Sequence, residues 1–280
     1  RRSPGGGQPP QRVLGGGSPA AASPGGAPDL AAKIVRKSQL QPRDIKNLFG
    51  PSGEIKTHIS LRHPHIVRLV EYFDDAQAVT MVLEFCPGGD LFDAIQRAAG
   101  ATGRGFSEAA AARALRHLLA ALTCLHTNRV VHRDLKPENV LLSVAEVPPE
   151  RNVYKLCDFG FAARLDDGQR FGLTDRVGSP YTVAPEVVEG VPYSFPADLW
   201  SVGVVMYMTL SATSPFHAPT TTETLSQVLE GAYSLSGARW EPVSAAAKAA
   251  LKALMTRDPS KRPTAPEALE LNWLGTSSFE

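Results

Sequence analysis

The spacing of apolar residues changes along the chain and predicts two regions of different build. In the first, Leu30–Val35 and Val79–Phe85 are short, mostly apolar runs, and both predict strands. Between them Glu54–Arg62 predicts a short helix that ends at His63-Pro64, because the residue before a proline is pushed out of helical geometry. From Gly88 onward helical spacing dominates. Ser107 can cap a helix in which Leu115, Leu118, Leu119, Leu122 and Leu125 recur on one face. Further helices are predicted over Ala197–Leu210, Ala245–Met255 and Ala265–Asn272, with short strands at Val140–Leu142 and Val153–Cys157. Periodicity alone yields a chain of mixed α and β structure.

Composition changes this picture at one end. Residues 1–28 contain eight Gly and six Pro, half the segment, with no apolar periodicity, and predict a disordered tail. The chain as a whole is ordinary for a globular protein, with 43% hydrophobic and 20% charged residues. A net charge of +1 gives no global attraction to nucleic acid or anionic membrane, so neither is expected as a partner. Cys86, Cys124 and Cys157 show neither metal-ligand spacing nor a disulfide framework and fit a reducing interior. Val202–Leu210 is too short for a membrane span and reads as a buried helix. The opening Arg1-Arg2 is followed by no apolar stretch and does not read as a signal peptide. The expected location is the cytoplasm, with the nucleus as the alternative.

Three motifs carry the chemistry: HRDLKPEN at His132–Asn139, Asp158-Phe159-Gly160, and Ala184-Pro185-Glu186. A lone Asp or Lys is commonly a solvated surface charge; several in fixed order inside long motifs reverse that weighing. In these motifs, and in Ala31-Ala32-Lys33, the chain resembles the eukaryotic protein kinase family from about Leu30 to Leu274. The resemblance implies an α+β bilobal fold, with a small β-rich N-lobe joined near Glu84–Gly89 to a larger helical C-lobe. It divides the chain into the tail (1–28), a partial N-lobe (29–84), the C-lobe (85–275) and a terminal tail (276–280).

It also implies ATP and Mg²⁺ as cofactors and a protein substrate with a Ser or Thr acceptor. Asp134 is then the base for the attacking hydroxyl, Lys136 reaches the transferred group, and Asn139 and Asp158 hold the metal. Lys33 would grip the α and β phosphates and pair with Glu54, which lies ten residues before Pro64. Glu84, Cys86, Asp90 and Leu141 are implied as further nucleotide contacts. Structural roles fall to His132 and Phe159 (stacked between the lobes), Asp198 (acceptor for the catalytic loop) and Glu186 with Arg262 (a buried ion pair).

The strings His63-Pro64-His65-Ile66-Val67, Pro87-Gly88-Gly89-Asp90-Leu91-Phe92 and Asp258-Pro259-Ser260-Lys261-Arg262 resemble the calcium/calmodulin-dependent group, of serine/threonine type. That implies a calcium-sensor regulator, although no sensor or calmodulin-binding segment is visible. Asp90, Asp93 and Glu138 suggest a substrate with Arg or Lys upstream of its acceptor. Arg133 normally pairs with a phosphorylated residue of the activation segment, and here Asp175 occupies that place. Asp175 is expected to supply part of the charge, with phosphorylation of Thr174 as the competing reading.

Two departures stand out. No Gly-x-Gly-x-x-Gly-x-Val loop precedes Lys33: Gly15-Gly16-Gly17 have the wrong spacing, and the first two N-lobe strands are expected to be missing or replaced. Gly50-Pro51-Ser52-Gly53 interrupts the helix before Glu54, where Ser52 can cap a shortened one; His58, one turn on, replaces a usual apolar residue and is expected to be a packed or half-exposed side chain rather than a ligand. The expected function is a serine/threonine protein kinase; the alternative is a kinase-fold pseudoenzyme or scaffold with impaired ATP binding.

Overall fold

The computed structural model describes residues 11–14, 29–50, 53–166, 168 and 171–275. Their smaller lobe is built on an antiparallel sheet of strands β1 (Gln11–Leu14), β2 (Leu30–Arg36), β3 (Leu69–Asp74) and β4 (Ala78–Glu84), in the order β1-β3-β4-β2. The β3–β4 turn is tied by the Asp75 carboxylate, which accepts from the amides of Gln77 and Ala78 at 2.7 and 2.9 Å. Alternation along β2 exposes Leu30, Ala32, Ile34 and Arg36 and turns Ala31, Lys33 and Val35 inward. Helices α1 (Pro42–Phe49) and α2 (Glu54–Ser60) join this sheet in a small core of Leu48, Ile55, Leu69, Val79 and Met81.

Several of these elements differ from expectation. Helix α2 stops at Ser60, because Leu61 is already extended (φ −96°, ψ 124°). Its N-cap is Gly53, which offers no side-chain cap; Ser52 lies outside the described residues, as do Gly15–Gly17. Strand β1 falls inside the segment read as a tail. Its pairing with β3 uses backbone groups, which a composition count does not register.

The larger lobe runs through α3 (Leu91–Thr102), α4 (Glu108–Thr127), β5 (Val130–Val131), β6 (Val140–Leu142), β7 (Tyr154–Leu156) and β8 (Ala163–Arg164). It continues through α5 (Pro185–Glu189), α6 (Pro196–Ser211), α7 (Thr221–Glu230), α8 (Ala245–Leu254), α9 (Ala265–Leu269) and α10 (Asn272–Gly275). Ser107 caps α4 by accepting from the Ala110 amide at 3.2 Å. Helix α6 is buried from Ala197 through Ser211, which explains its nearly unbroken apolar sequence. Gly203 lets it approach the end of α8: a Cβ there would lie 2.5 Å from Met255 Cγ. The run expected as one helix over 265–272 divides into α9 and α10, with Glu270 and Leu271 between them.

Short backbone contacts join the lobes. The Val67 amide donates to Leu156 O and the Leu156 amide to His65 O, each at 2.9 Å. After β4 the chain is held to β6 by Gly88 N–H to Leu142 O (3.0 Å) and Leu142 N–H to Gly89 O (2.9 Å). The cleft thus forms between β2 and β4 above and β6 and β7 below.

Candidate active site

The alternation of β2 aims Lys33 into the cleft, while the first turn of α2 presents Glu54 from the side. Lys33 Nζ lies 2.7 Å from Glu54 Oε1 and 2.9 Å from Asp158 Oδ1. Burial opposes the charge on Lys33, but the two carboxylates outweigh it and hold its pKa above the ordinary lysine value. Asp158 is the converse case: burial pushes it up, and Lys33 brings it below the usual carboxylate range. Both are therefore charged at neutral pH. Asp158 is held at φ 61° and Arg133 at φ 71°, a left-handed conformation that costs about 1–3 kcal/mol at a non-glycine residue and persists where surroundings enforce it.

The enforcing group for the catalytic loop is Asp198, buried in α6. Its Oδ2 accepts from the His132 amide and His126 Nε2, both at 2.9 Å, and its Oδ1 accepts from the Arg133 amide at 3.0 Å. Burial would raise the Asp198 pKa, but these donors, with His126 foremost, keep it lowered. The loop then turns Asp134 toward three donors. Ser179 Oγ donates to Asp134 Oδ1 at 2.8 Å, while Lys136 Nζ (2.9 Å) and Asn139 Nδ2 (3.2 Å) both reach Oδ2. Lys136 Nζ also donates to Ser179 Oγ at 3.0 Å, which closes the group. Gly178 brings Ser179 this near: at φ 107° its missing Cβ would sit 2.6 Å from Arg133 O.

The cleft has a volume of about 380 Å³, and its lining includes Lys33, Glu54, Glu84, Cys86, Asn139, Leu141 and Asp158. These are seven of the ten residues expected at the site. Asp134 and Lys136 are outside this lining but adjoin it, since Asp134 Oδ2 is contacted by both Asn139 and Lys136. Asp90 stands apart from this lining: its Oδ1 caps α3 by accepting from the Asp93 amide at 2.8 Å. The Glu84 carboxylate is committed to Lys155 at 2.6 Å and to the Arg68 amide at 3.2 Å. Burial pushes the thiol pKa of Cys86 up to about 11 and of Cys157 to about 12, so neither is a nucleophile at neutral pH.

The donor set fits a magnesium nucleotide. Asn139 commits its amide nitrogen to Asp134, which reserves Oδ1 as a ligand atom, and Asp158 uses Oδ1 for Lys33, which reserves Oδ2. Among the described residues no three His, Cys, Asp or Glu side chains gather as a metal cage. Magnesium needs none, because one or two carboxylates with phosphate and water suffice.

Behind the cleft, His58, Phe159 and His132 form a column. Ring centroids are 4.6 Å apart for His58–Phe159 and 5.3 Å for His132–Phe159. Of the two placements expected for His58, packed or half-exposed, the structure shows the packed one, and its Nε2–H donates to Val67 O at 2.6 Å. Glu186 and Arg262 form the expected buried pair through two contacts of 2.7 and 2.8 Å. In the activation segment Arg133 Nη1 meets Asp175 Oδ2 at 3.0 Å, and Tyr193 donates its hydroxyl to Asp175 O at 2.8 Å. Sequence reasoning missed Ser179 and His126. Position could have flagged Ser179, which follows a glycine just ahead of Ala184-Pro185-Glu186, whereas His126 ends an ordinary amphipathic helix and carried no signal.

A family model for the protein kinase domain matches residues 21–274. The chain belongs to the protein kinase family. This kinase domain is 36% identical over 242 residues to a calcium/calmodulin-dependent protein kinase type I of Schizosaccharomyces pombe, covering 86% of the chain and 69% of that protein. It is 38% identical over 253 residues to calcium-dependent protein kinase 28 of Oryza sativa subsp. japonica, covering 89% of the chain and 46% of the relative. Against calcium-dependent protein kinase 3 of Plasmodium berghei the identity is 35% over 243 residues, covering 87% of the chain and 41% of the relative. The chain thus spans less than half the length of the last two. Among the described residues, no helix of the kinase domain is long and apolar enough to cross a membrane.

Proposed function

We propose that the chain transfers the γ-phosphoryl group of ATP to serine and threonine hydroxyls of protein substrates. The observation that carries this reading is the Asp134–Lys136–Ser179 group, closed by contacts of 2.8 to 3.0 Å, beside an Asn139–Asp158–Lys33 set of ligand and phosphate-binding type. Asp134 accepts the hydrogen bond of the incoming hydroxyl and orients its oxygen; Ser179 holds the other side of that carboxylate. Lys136 supplies positive charge where phosphate charge develops, and Lys33, fixed by Glu54, grips the remaining phosphates. Magnesium, held when bound by Asn139 and Asp158, neutralises phosphate charge. Asp90 and Asp93, on the rim at the start of α3, suit a substrate with basic residues upstream of its acceptor.

The test combines binding and transfer. Saturating ATP with Mg²⁺ raises the melting temperature, because a ligand of the folded state stabilises it by mass action. Radiolabelled phosphate enters a basic serine peptide with the wild type but not with Asp134→Asn. Absence of any thermal shift at saturating nucleotide would sink this reading. The names of the relatives point to a calcium-responsive regulator, which addition of Ca²⁺ with calmodulin to the transfer assay checks directly.

A further inference from the structure

Tyr181 follows Ser179 by two residues and stands on the wall of a cavity of about 460 Å³, with Phe92, Glu138, Pro180, Met208 and Phe216. Its hydroxyl donates to both carboxylate oxygens of Glu138, at 2.6 and 2.7 Å. Nearly equal distances place the hydroxyl on the bisector of the carboxylate. That is the end-on approach a guanidinium fork needs for two parallel N–H···O bonds. Glu138 is half-buried and lies four residues after Asp134, and Ser179 touches Asp134, so the pair borders the place where the acceptor must sit. The phenol stays protonated at neutral pH, since burial and then Glu138 hold its pKa above the ordinary tyrosine value.

We propose that Tyr181 is a specificity-determining residue that masks Glu138, so that the acidic rim reads an upstream arginine through Asp90 and Asp93 and not through Glu138. The inference rests on the kinase reading above. Asp90 and Asp93 remain available: Asp90 spends one oxygen on its helix cap, and Asp93 is exposed. Glu138 presents no open bidentate face. The favoured substrate therefore carries fewer upstream arginines than three rim carboxylates would otherwise select.

Serine peptides that differ only by Arg or Ala at one upstream position at a time provide the test, read as the Arg/Ala ratio of kcat/KM. Glu138→Gln in the otherwise native protein changes this ratio by less than about twofold at every position, because the carboxylate is already engaged. Tyr181→Phe raises it about tenfold at one position, the worth of a freed charge-assisted bond, and adding Glu138→Gln abolishes that gain. A tenfold fall with Glu138→Gln alone, or unchanged ratios in a folded Tyr181→Phe, overturns the proposal. The Glu138→Gln arm decides by itself if Tyr181→Phe does not fold. Failure of the native protein to phosphorylate any peptide removes the kinase reading and this inference with it, whereas active protein with the wrong ratios removes the inference alone.

Discussion

His58 offers a sharp test of how the small lobe is held. The residue is 3% exposed, and its ring packs 4.6 Å from Phe159 and donates to Val67 O. Burial lowers its pKa from 6.5 to about 4, so the folded protein keeps it neutral over a range where the unfolded chain binds a proton. The sign follows: the unfolded state holds more protons between these values, so the stability due to this group is full above pH 6.5 and falls as pH drops toward 4. Integrating from pH 7.5 to 5 with those two values gives a loss of about 2 kcal/mol. His63, His65 and His117, whose pKa values burial also lowers, add losses of the same sign, so the measurement is a double difference. Urea unfolding at both pH values, followed by far-ultraviolet circular dichroism, is compared between wild type and His58→Leu. The variant should lose about 2 kcal/mol less on acidification, whatever its stability at pH 7.5. Parallel losses in the two proteins would show that the buried imidazole is not the group that titrates.

Replacing Glu186 by Gln leaves the Arg262 guanidinium, itself fully buried, without its counter-charge; a cost of about 3–5 kcal/mol is expected in the same unfolding assay. Asp175→Asn removes the charge opposite Arg133, but Asp175 is 70% exposed and such pairs are worth at most about 1 kcal/mol, so kcat should fall by no more than about fivefold. Steady-state kinetics, with mass spectrometry of Thr174, check that figure. Ser179→Ala should lower kcat by roughly tenfold or more with little change in melting temperature, because it removes a charge-assisted bond to Asp134 and no buried apolar volume.

The large-lobe machinery was legible because it lies in two contiguous strings. His132–Asn139 and Asp158–Gly160 each fix spacing, so the positions of Asp134, Asn139 and Asp158 needed no tertiary knowledge. The Lys33–Glu54 pair, far apart in sequence, became legible only by counting back from His63-Pro64. Contacts without such an anchor stayed hidden. Tyr181 meets Glu138 across 43 residues and His126 meets Asp198 across 72, and nothing local marks either partner. Elements behaved alike: α6 announced itself by a long apolar run. Helix α1 starts at a proline and ends beside Gly50-Pro51, and β1 sits among glycines and prolines, so local preference concealed both.

The grip of Asp198 on the His132 and Arg133 amides has a consequence for motion. Those two N–H groups end on a carboxylate at the centre of the helical lobe, so neither can exchange its hydrogen with solvent until α6 itself lets go. Their exchange rates should follow the global opening of that lobe, while amides around the exposed Asp175 exchange through small local excursions. The catalytic loop is thus a fixed datum, and what can shift against it are the segments that lean on it from outside, those of Ser179, Asp175 and Lys33.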